Sequence, residues 1–295
     1  MPITQVPAIS TLGELLHKTK EIRAKWIDGR EPREELWFRG LRSTAHDLTP
    51  TLYRQSSIKA GFDQVESSLL HDFQLRAVGF AGNKASPHYT DGEWYAAARH
   101  HGVPSRLMDW SGNILVALFF ALERCWGEID KTFWSEARGS ASNAAPVKEK
   151  PCIWVLEAGS LNQVAQRWSG IVSLASTQPF LKSYFPPRAT GHIRHGKRNR
   201  WPVAIYPSRV HERISAQHGY FTLHGYDHRS LQSLARMKSH SQLRLAQIPI
   251  LPNAVPYLID DLILCGITHA SVYADLDSVG RSVKWSYMQG GKLDD

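Results

Sequence analysis

The run Ile114-Leu115-Val116-Ala117-Leu118-Phe119-Phe120-Ala121-Leu122 leaves this chain little choice: it has to be buried. Its Ala and Leu content favours a buried helix over a strand. Directly ahead of it stands a polar, tight, aromatic stretch, His100-His101-Gly102-Val103-Pro104-Ser105-Arg106-Leu107-Met108-Asp109-Trp110-Ser111. The stretch reads as a loop at the mouth of a rigid core element, where binding and chemistry are usually placed. A plainer reading has Asp109 or Ser111 capping the helix and Arg106 as a solvated neighbour.

With 295 residues, 42% hydrophobic and 21% charged, the chain has enough apolar content for a real core in one large domain or two small ones. Indole is rarely fully buried, so some of the ten Trp belong in a groove. A net charge of +8 favours an anionic partner, whether nucleic acid, a phosphate-bearing cofactor or an acidic surface. Cys125, Cys152 and Cys265 are isolated in apolar runs and read as small buried hydrophobes. Met1 to Gly13 has no basic region followed by an apolar run, so no signal peptide is expected. No apolar stretch has the length of a membrane span, so the expectation is a soluble, cytoplasmic protein with no membrane partner.

Along the chain, Thr11 to Asp28 reads as a helix on Leu12, Leu15, Leu16, Ile22 and Trp26. Glu35 to Gly40 reads as a strand, and Thr49 to Arg54 as an extended or turn segment, because Pro50 restricts Thr49. Helices are expected over Ser67–Phe80 and Glu93–His100. The small, polar residues between about 130 and 150 read as a mobile insertion. Strands are expected at Cys152–Leu156, Val203–Pro207, Tyr220–Leu223, Gln242–Ile250 and Ser271–Ala274. Helices are expected at Val255–Cys265, stopped by Gly266, and at Ser278–Met288. Helices first and strands later point to an α+β fold rather than regular βαβ winding. No glycine-rich phosphate loop is present.

Four clusters could carry chemistry. Arg39 with Gly40, at a strand end, would clamp a phosphate while the glycine lets a ligand approach the backbone; the alternative is a turn beside a surface arginine. The stretch from His100 to Ser111 is the second. The third, His211 to Phe221, places Glu212 and Gln217 between two imidazoles, with Glu212 as a base or ribose ligand or as half of a solvated pair with Arg213. The fourth, Pro187 to Trp201, carries Arg194, Lys197, Arg198 and Arg200 beside Trp201 and would track a nucleic-acid backbone, or simply solubilise. His224 and His228 have helical ligand spacing, but Gly225, Tyr226 and Asp227 between them suit a turn, so no metal is expected.

Trp37-Phe38-Arg39-Gly40, Leu48-Thr49-Pro50-Thr51-Leu52-Tyr53-Arg54, the His100–Ser111 stretch and Val116-Ala117-Leu118-Phe119-Phe120-Ala121, in that order, resemble the FRG domain family. Its name comes from the tripeptide found here as Phe38-Arg39-Gly40. Arg213-Ile214-Ser215-Ala216-Gln217-His218-Gly219-Tyr220-Phe221 matches a later family pattern, and Leu264 to Leu276 its C-terminal one. Tyr273-Ala274 departs from the Phe-Pro often found there. The resemblance implies an N-terminal helical segment over residues 1–34 and an FRG domain over 35–295. The motif order is also similar to that of ADP-ribosyltransferases of the Arg–Ser–Glu type, with Arg39 at the arginine position, Ser111 at the hydroxyl position and Glu212 to Gln217 at the late motif. Their Ser-Thr-Ser and Glu-x-Glu segments are missing, and Gln217 cannot serve as a base, which moves the acid to Asp109 or Glu212.

The similarity implies one compact α+β domain with a split-sheet core, consuming NAD as substrate and modifying a nucleic-acid or other anionic acceptor, in a defence or toxin setting. Arg39, Asp109, Glu212, Gln217 and His101 are the expected catalytic residues, with His101 relaying a proton. Arg39, Gly40, Arg54, Arg106, Trp110, Ser111 and Tyr220 are expected around the cofactor, with Trp110 or Tyr220 stacking on nicotinamide. Arg194, Lys197, Arg198, Arg200 and Trp201 are expected to meet nucleic acid. The alternatives are a nucleic-acid-binding or nuclease-like effector and a nucleotide-sensing domain without catalysis.

Overall fold

Eight strands form one mixed sheet in the order β1-β8-β4-β2-β3-β7-β6-β5. They are β1 (Thr4–Gln5), β2 (Leu36–Leu41), β3 (Leu107–Ser111), β4 (Cys152–Glu157), β5 (Val172–Ser173), β6 (Val203–Tyr206), β7 (Gly219–Leu223) and β8 (Leu245–Pro249). The computed structural model describes residues 3–26, 35–55, 61–80, 89–127, 129, 147–176, 179–185, 199–207 and 216–288. Residues 130–146 of the expected insertion lie outside them. Inner neighbours run antiparallel, and the two edges, β1 on β8 and β5 on β6, are parallel.

The helices are α1 (Leu12–Trp26), α2 (Phe62–Phe80), α3 (Asp91–His100), α4 (Ile114–Leu122), α5 (Ala158–Gln166), α6 (Pro179–Lys182), α7 (Leu231–Ala235), α8 (Val255–Leu264), α9 (His269–Tyr273) and α10 (Leu276–Met288). The apolar run is a helix, as its composition predicts. Asn113 caps it by accepting the Leu115 N–H at 2.9 Å. Helix α3 opens on a capping box between Thr90 and Glu93. Gly266 follows α8 at φ +75°, the left-handed conformation a helix stop requires. The α+β class holds, and the residues before β2 join the main core: α1 buries Leu15, Ile22 and Trp26 there.

Three expectations fail. The stretch ending at Ser111 is not all loop: Leu107 to Ser111 is a central strand, paired along its length with β7. Ser271 to Ala274 is not a strand, because Thr268 and Ser271 cap helix α9 there. Cys125 and Cys152 are buried, but Cys265 is exposed.

Strand pairing sorts side chains onto two faces. Trp37, Met108, Trp110, Trp154 and Leu245 build a cluster on one. The other carries two separate clusters: Phe38, Val155 and Ala246 under α1, α4 and α8, and Leu107, Phe221 and Ile205 under α3. Between these two lie Asp109 and Ser111. The β2–β3 ladder there shrinks to one pair, Phe38 with Ser111.

Candidate functional site

Where that ladder stops, a cavity of about 340 Å³ opens, lined by Phe38, Arg39, Gly40, Ala96, Arg99, His100, Asp109, Trp110, Ser111, Phe120, Gln217 and Tyr220 among others. Beyond Phe38 the two strands part, and a side chain replaces the missing rungs: Arg39 Nη1 donates to the backbone carbonyl of Asp109. The same Nη1 lies 3.9 Å from the Asp109 carboxylate.

Arg99, a pocket residue not singled out in the sequence, reaches Asp109 from the last turn of α3. Its Nη2 donates to Asp109 Oδ2 at 2.5 Å and its Nη1 to Thr51 Oγ1 at 3.1 Å. Thr51 is fixed in turn, because its Oγ1 accepts the Ser105 N–H at 3.3 Å. The Leu48–Arg54 motif therefore docks on the segment before β3 and steers Arg99. Arg54 does not line the cavity; its Nε donates to the Thr49 carbonyl at 2.7 Å.

Charge is unevenly balanced here. Withdrawal from water would raise the Asp109 carboxyl, but Arg99 and Arg39 outweigh it and hold the group below the usual aspartate range. Burial pulls Arg39 down to about 10, with Asp109 opposing and Arg99 and Arg54 adding to the fall. The Arg99 guanidinium is raised, chiefly by Asp109. One carboxylate faces two largely buried guanidinium groups with a third nearby. Three buried N–H donors there, Arg39 Nε, Arg99 Nε and Gln217 Nε2, have no hydrogen-bond partner among the described residues.

Arg39, Asp109 and Gln217, far apart in sequence, thus meet in one hollow, together with Ser111 and Tyr220. Ser111 is tied into the turn after β3: its Oγ donates to the Gln217 carbonyl at 2.7 Å and accepts the Asn113 N–H at 2.9 Å. One face of Tyr220 is taken by Trp37, stacked at 4.7 Å.

Other expected residues have different work. Gly40 touches the cavity, but its missing side chain serves packing: a Cβ would stand 1.9 Å from the Ala117 carbonyl oxygen of α4. Arg106 is 2% exposed and structural. Its Nε donates to Glu66 Oε2 at 2.7 Å, and its other nitrogens reach the Tyr184 and His224 carbonyls. Trp110 is 3% exposed and donates to Thr222 Oγ1 at 3.1 Å, so its indole packs in the core although the residue borders the cavity. His101 is exposed at the end of α3 against Phe73, 5.9 Å between ring centres; His100 lines the cavity instead.

Arg200 and Trp201 lie outside the cavity lining and are already engaged. The Arg200 guanidinium sits 4.3 Å over the Trp201 ring, and Asp227 pairs with both Arg200 and Arg229. Glu212, Arg194, Lys197 and Arg198 lie outside the described residues. His224 is fully buried and His228 packs on Tyr53; among the described residues no cluster of three or more His, Cys, Asp or Glu has metal-binding spacing.

Residues 34–126 match the family model of the FRG domain. The match runs from β2 through α4. It supplies Arg39, Gly40, Arg99, Asp109 and Ser111 to the cavity, whereas Gln217 and Tyr220 come from beyond the FRG match. No curated protein and no solved structure matches the chain. Among the described residues no helix is long and apolar enough to cross a membrane.

Proposed function

We propose that the cavity between β2 and β3 binds NAD as a substrate and that the protein transfers ADP-ribose to an anionic acceptor such as nucleic acid. The observation carrying this reading is the convergence of Arg39, Arg99, Asp109 and Gln217 on one hollow with three donors that have no partner among the described residues. Guanidinium N–H groups without acceptors suit an oxyanion, and a dinucleotide brings a pyrophosphate. A cavity of about 340 Å³ falls within the range of small-molecule sites and would take part of such a ligand. The parting of β2 and β3 supports the expected split-sheet, ADP-ribosyltransferase-like core.

When the ribosyl–nicotinamide bond breaks, the electron pair leaves with the pyridine nitrogen and positive charge develops on the ribosyl unit. Asp109, held ionised by Arg99 and Arg39, suits the stabilisation of that charge and is a poor proton donor. Glu212 is the remaining candidate for activating the acceptor. The net charge of +8 would draw a nucleic acid toward the site.

The test is nicotinamide release from NAD, with transfer of an adenylate label to RNA, DNA or protein. Wild type is expected to turn over, and Arg39→Ala and Asp109→Asn to lose at least a hundredfold. No NAD binding, or unchanged turnover in both variants, would sink the proposal. A second reading, nucleotide sensing without chemistry, is favoured by the pairing of Asp109 with both arginines. It predicts saturable nucleotide binding with no nicotinamide release.

A further inference from the structure

Helix α10 is held by one face only. Ser278 is buried, Ser282 Oγ accepts the Ala270 N–H at 3.1 Å, and Trp285 packs against the main core. Its other face is apolar and open: Leu276, Val279, Val283 and Tyr287 keep 87%, 45%, 51% and 50% of their surface exposed. At roughly 100° per residue these four and Gly280 fall in an arc of about 100°. Leucine and valine at that spacing on an outward face find little to pack on among the described residues and mark an interaction surface.

We propose that this stripe is a homodimer seam, with α10 of one copy lying antiparallel to α10 of a second copy across a two-fold axis. The charge pattern selects this occupant. Asp277, Arg281 and Lys284 all flank the stripe on the same side, and the opposite flank carries the uncharged Ser286, beside the Ser282 that holds Ala270. In an antiparallel pair, like flanks meet with their order reversed. Asp277 then faces the partner's Lys284 and the symmetry repeats the pair, while Arg281, which lies near the two-fold axis and would meet its own copy, is drawn over the Tyr273 ring at 5.3 Å. A parallel pair would set the charged flank against the serines and lose both ion pairs. Asp277 and Lys284 form no ion pair among the described residues of their own chain. The apolar spacing is also close to palindromic. Reversal lays Leu276 against the partner's Tyr287 and Gly280 against the partner's Val283. Among the described residues, no atom outside the helix's own neighbouring backbone lies within 4 Å of where a Gly280 Cβ would stand, so the partner's valine has room.

One helix pair is a small interface, so reversible association in the micromolar range is expected. Sedimentation equilibrium on the full chain, from low to several hundred micromolar, should show a monomer–dimer equilibrium. Val283→Glu should raise the dissociation constant at least tenfold without changing the circular dichroism. Asp277→Lys and Lys284→Asp should each weaken the dimer, and the double exchange should restore it. That rescue separates pairing from any local effect of the Asp277 exchange on the helix start, which the double variant keeps. A monomer at every concentration, or a double exchange as weak as the single ones, would overturn the proposal. Neither readout depends on NAD turnover.

Discussion

Arg99 Nη2 lies 2.5 Å from Asp109 Oδ2, so a guanidinium from the last turn of α3 neutralises the carboxylate beside the cavity. Asp109 is therefore more than a reactive group on a neutral scaffold, and its removal leaves Arg39 and Arg99 facing each other. Asp109→Ala should cost about 1–2 kcal/mol, below the loss for a sealed pair because the Asp109 side chain is 46% exposed. A double-mutant cycle with Arg99→Ala should show about 1 kcal/mol of coupling in chemical denaturation. Strict additivity would mean that the two groups do not support each other.

Gly40→Ala tests the close approach of β2 and α4. The new Cβ would meet the Ala117 carbonyl oxygen at 1.9 Å and the Ala121 nitrogen at 2.5 Å, both backbone atoms that cannot swing aside. The expected loss is about 3 kcal/mol, seen as a lower urea midpoint. A loss below about 0.5 kcal/mol would contradict this packing.

The Arg106–Glu66 pair is predicted to matter for folding whether or not nucleotide is present. Burial works against the Arg106 charge, yet Glu66 and its neighbours hold it above the ordinary arginine range. Glu66→Leu or Arg106→Met alone should cost about 3–5 kcal/mol by stranding a buried charge. The double variant should recover most of that loss in thermal unfolding. If it stays as unstable as the worse single variant, the pair is not the source of the effect.

His224 should shape the acid limb of stability. Burial, with Arg106 and Arg39 nearby, pushes its imidazole down to about 3 from the ordinary 6.5. In the folded state it stays neutral while the unfolded chain takes up a proton. Below pH 6.5 the unfolded state binds more protons, so stability falls with pH by about 1.4 kcal/mol per unit from this residue, levelling near the folded value. His224→Phe should be less sensitive between pH 6.5 and 4 than wild type, by urea titration at each pH. Parallel curves would remove His224 from that role.

Where a pattern was long or chemically distinctive, the sequence was readable. Helix α1 declares its period, α4 its apolar run, and the polar islands around Arg39, Asp109 and Gln217 stand out because each abuts a core element. Leu107 to Ser111 read as loop because its charged and aromatic residues mask an ordinary two-residue alternation: Met108 and Trp110 face one cluster, Leu107 and Asp109 the opposite side. The same masking made Arg106 look like a cofactor contact or a solvated neighbour when it is buried against Glu66, a partner forty positions away. Arg99 went unnoticed because it sits on a helix, although its place after the buried Ala96-Ala97-Ala98 was a clue. Ser271 to Ala274 is too short for periodicity to separate helix from strand, and the cap at Thr268 was the better signal.

A sheet joined at its middle by a single rung behaves like two plates on a narrow weld. Most of what sets the angle between them is side chain: one arginine, one aspartate and a helix seated on a bare glycine. A change at the arginine or the aspartate would alter the width of the gap without rebuilding any strand, whereas the glycine, pressed against the helix backbone, is the fixed point on which both plates are set.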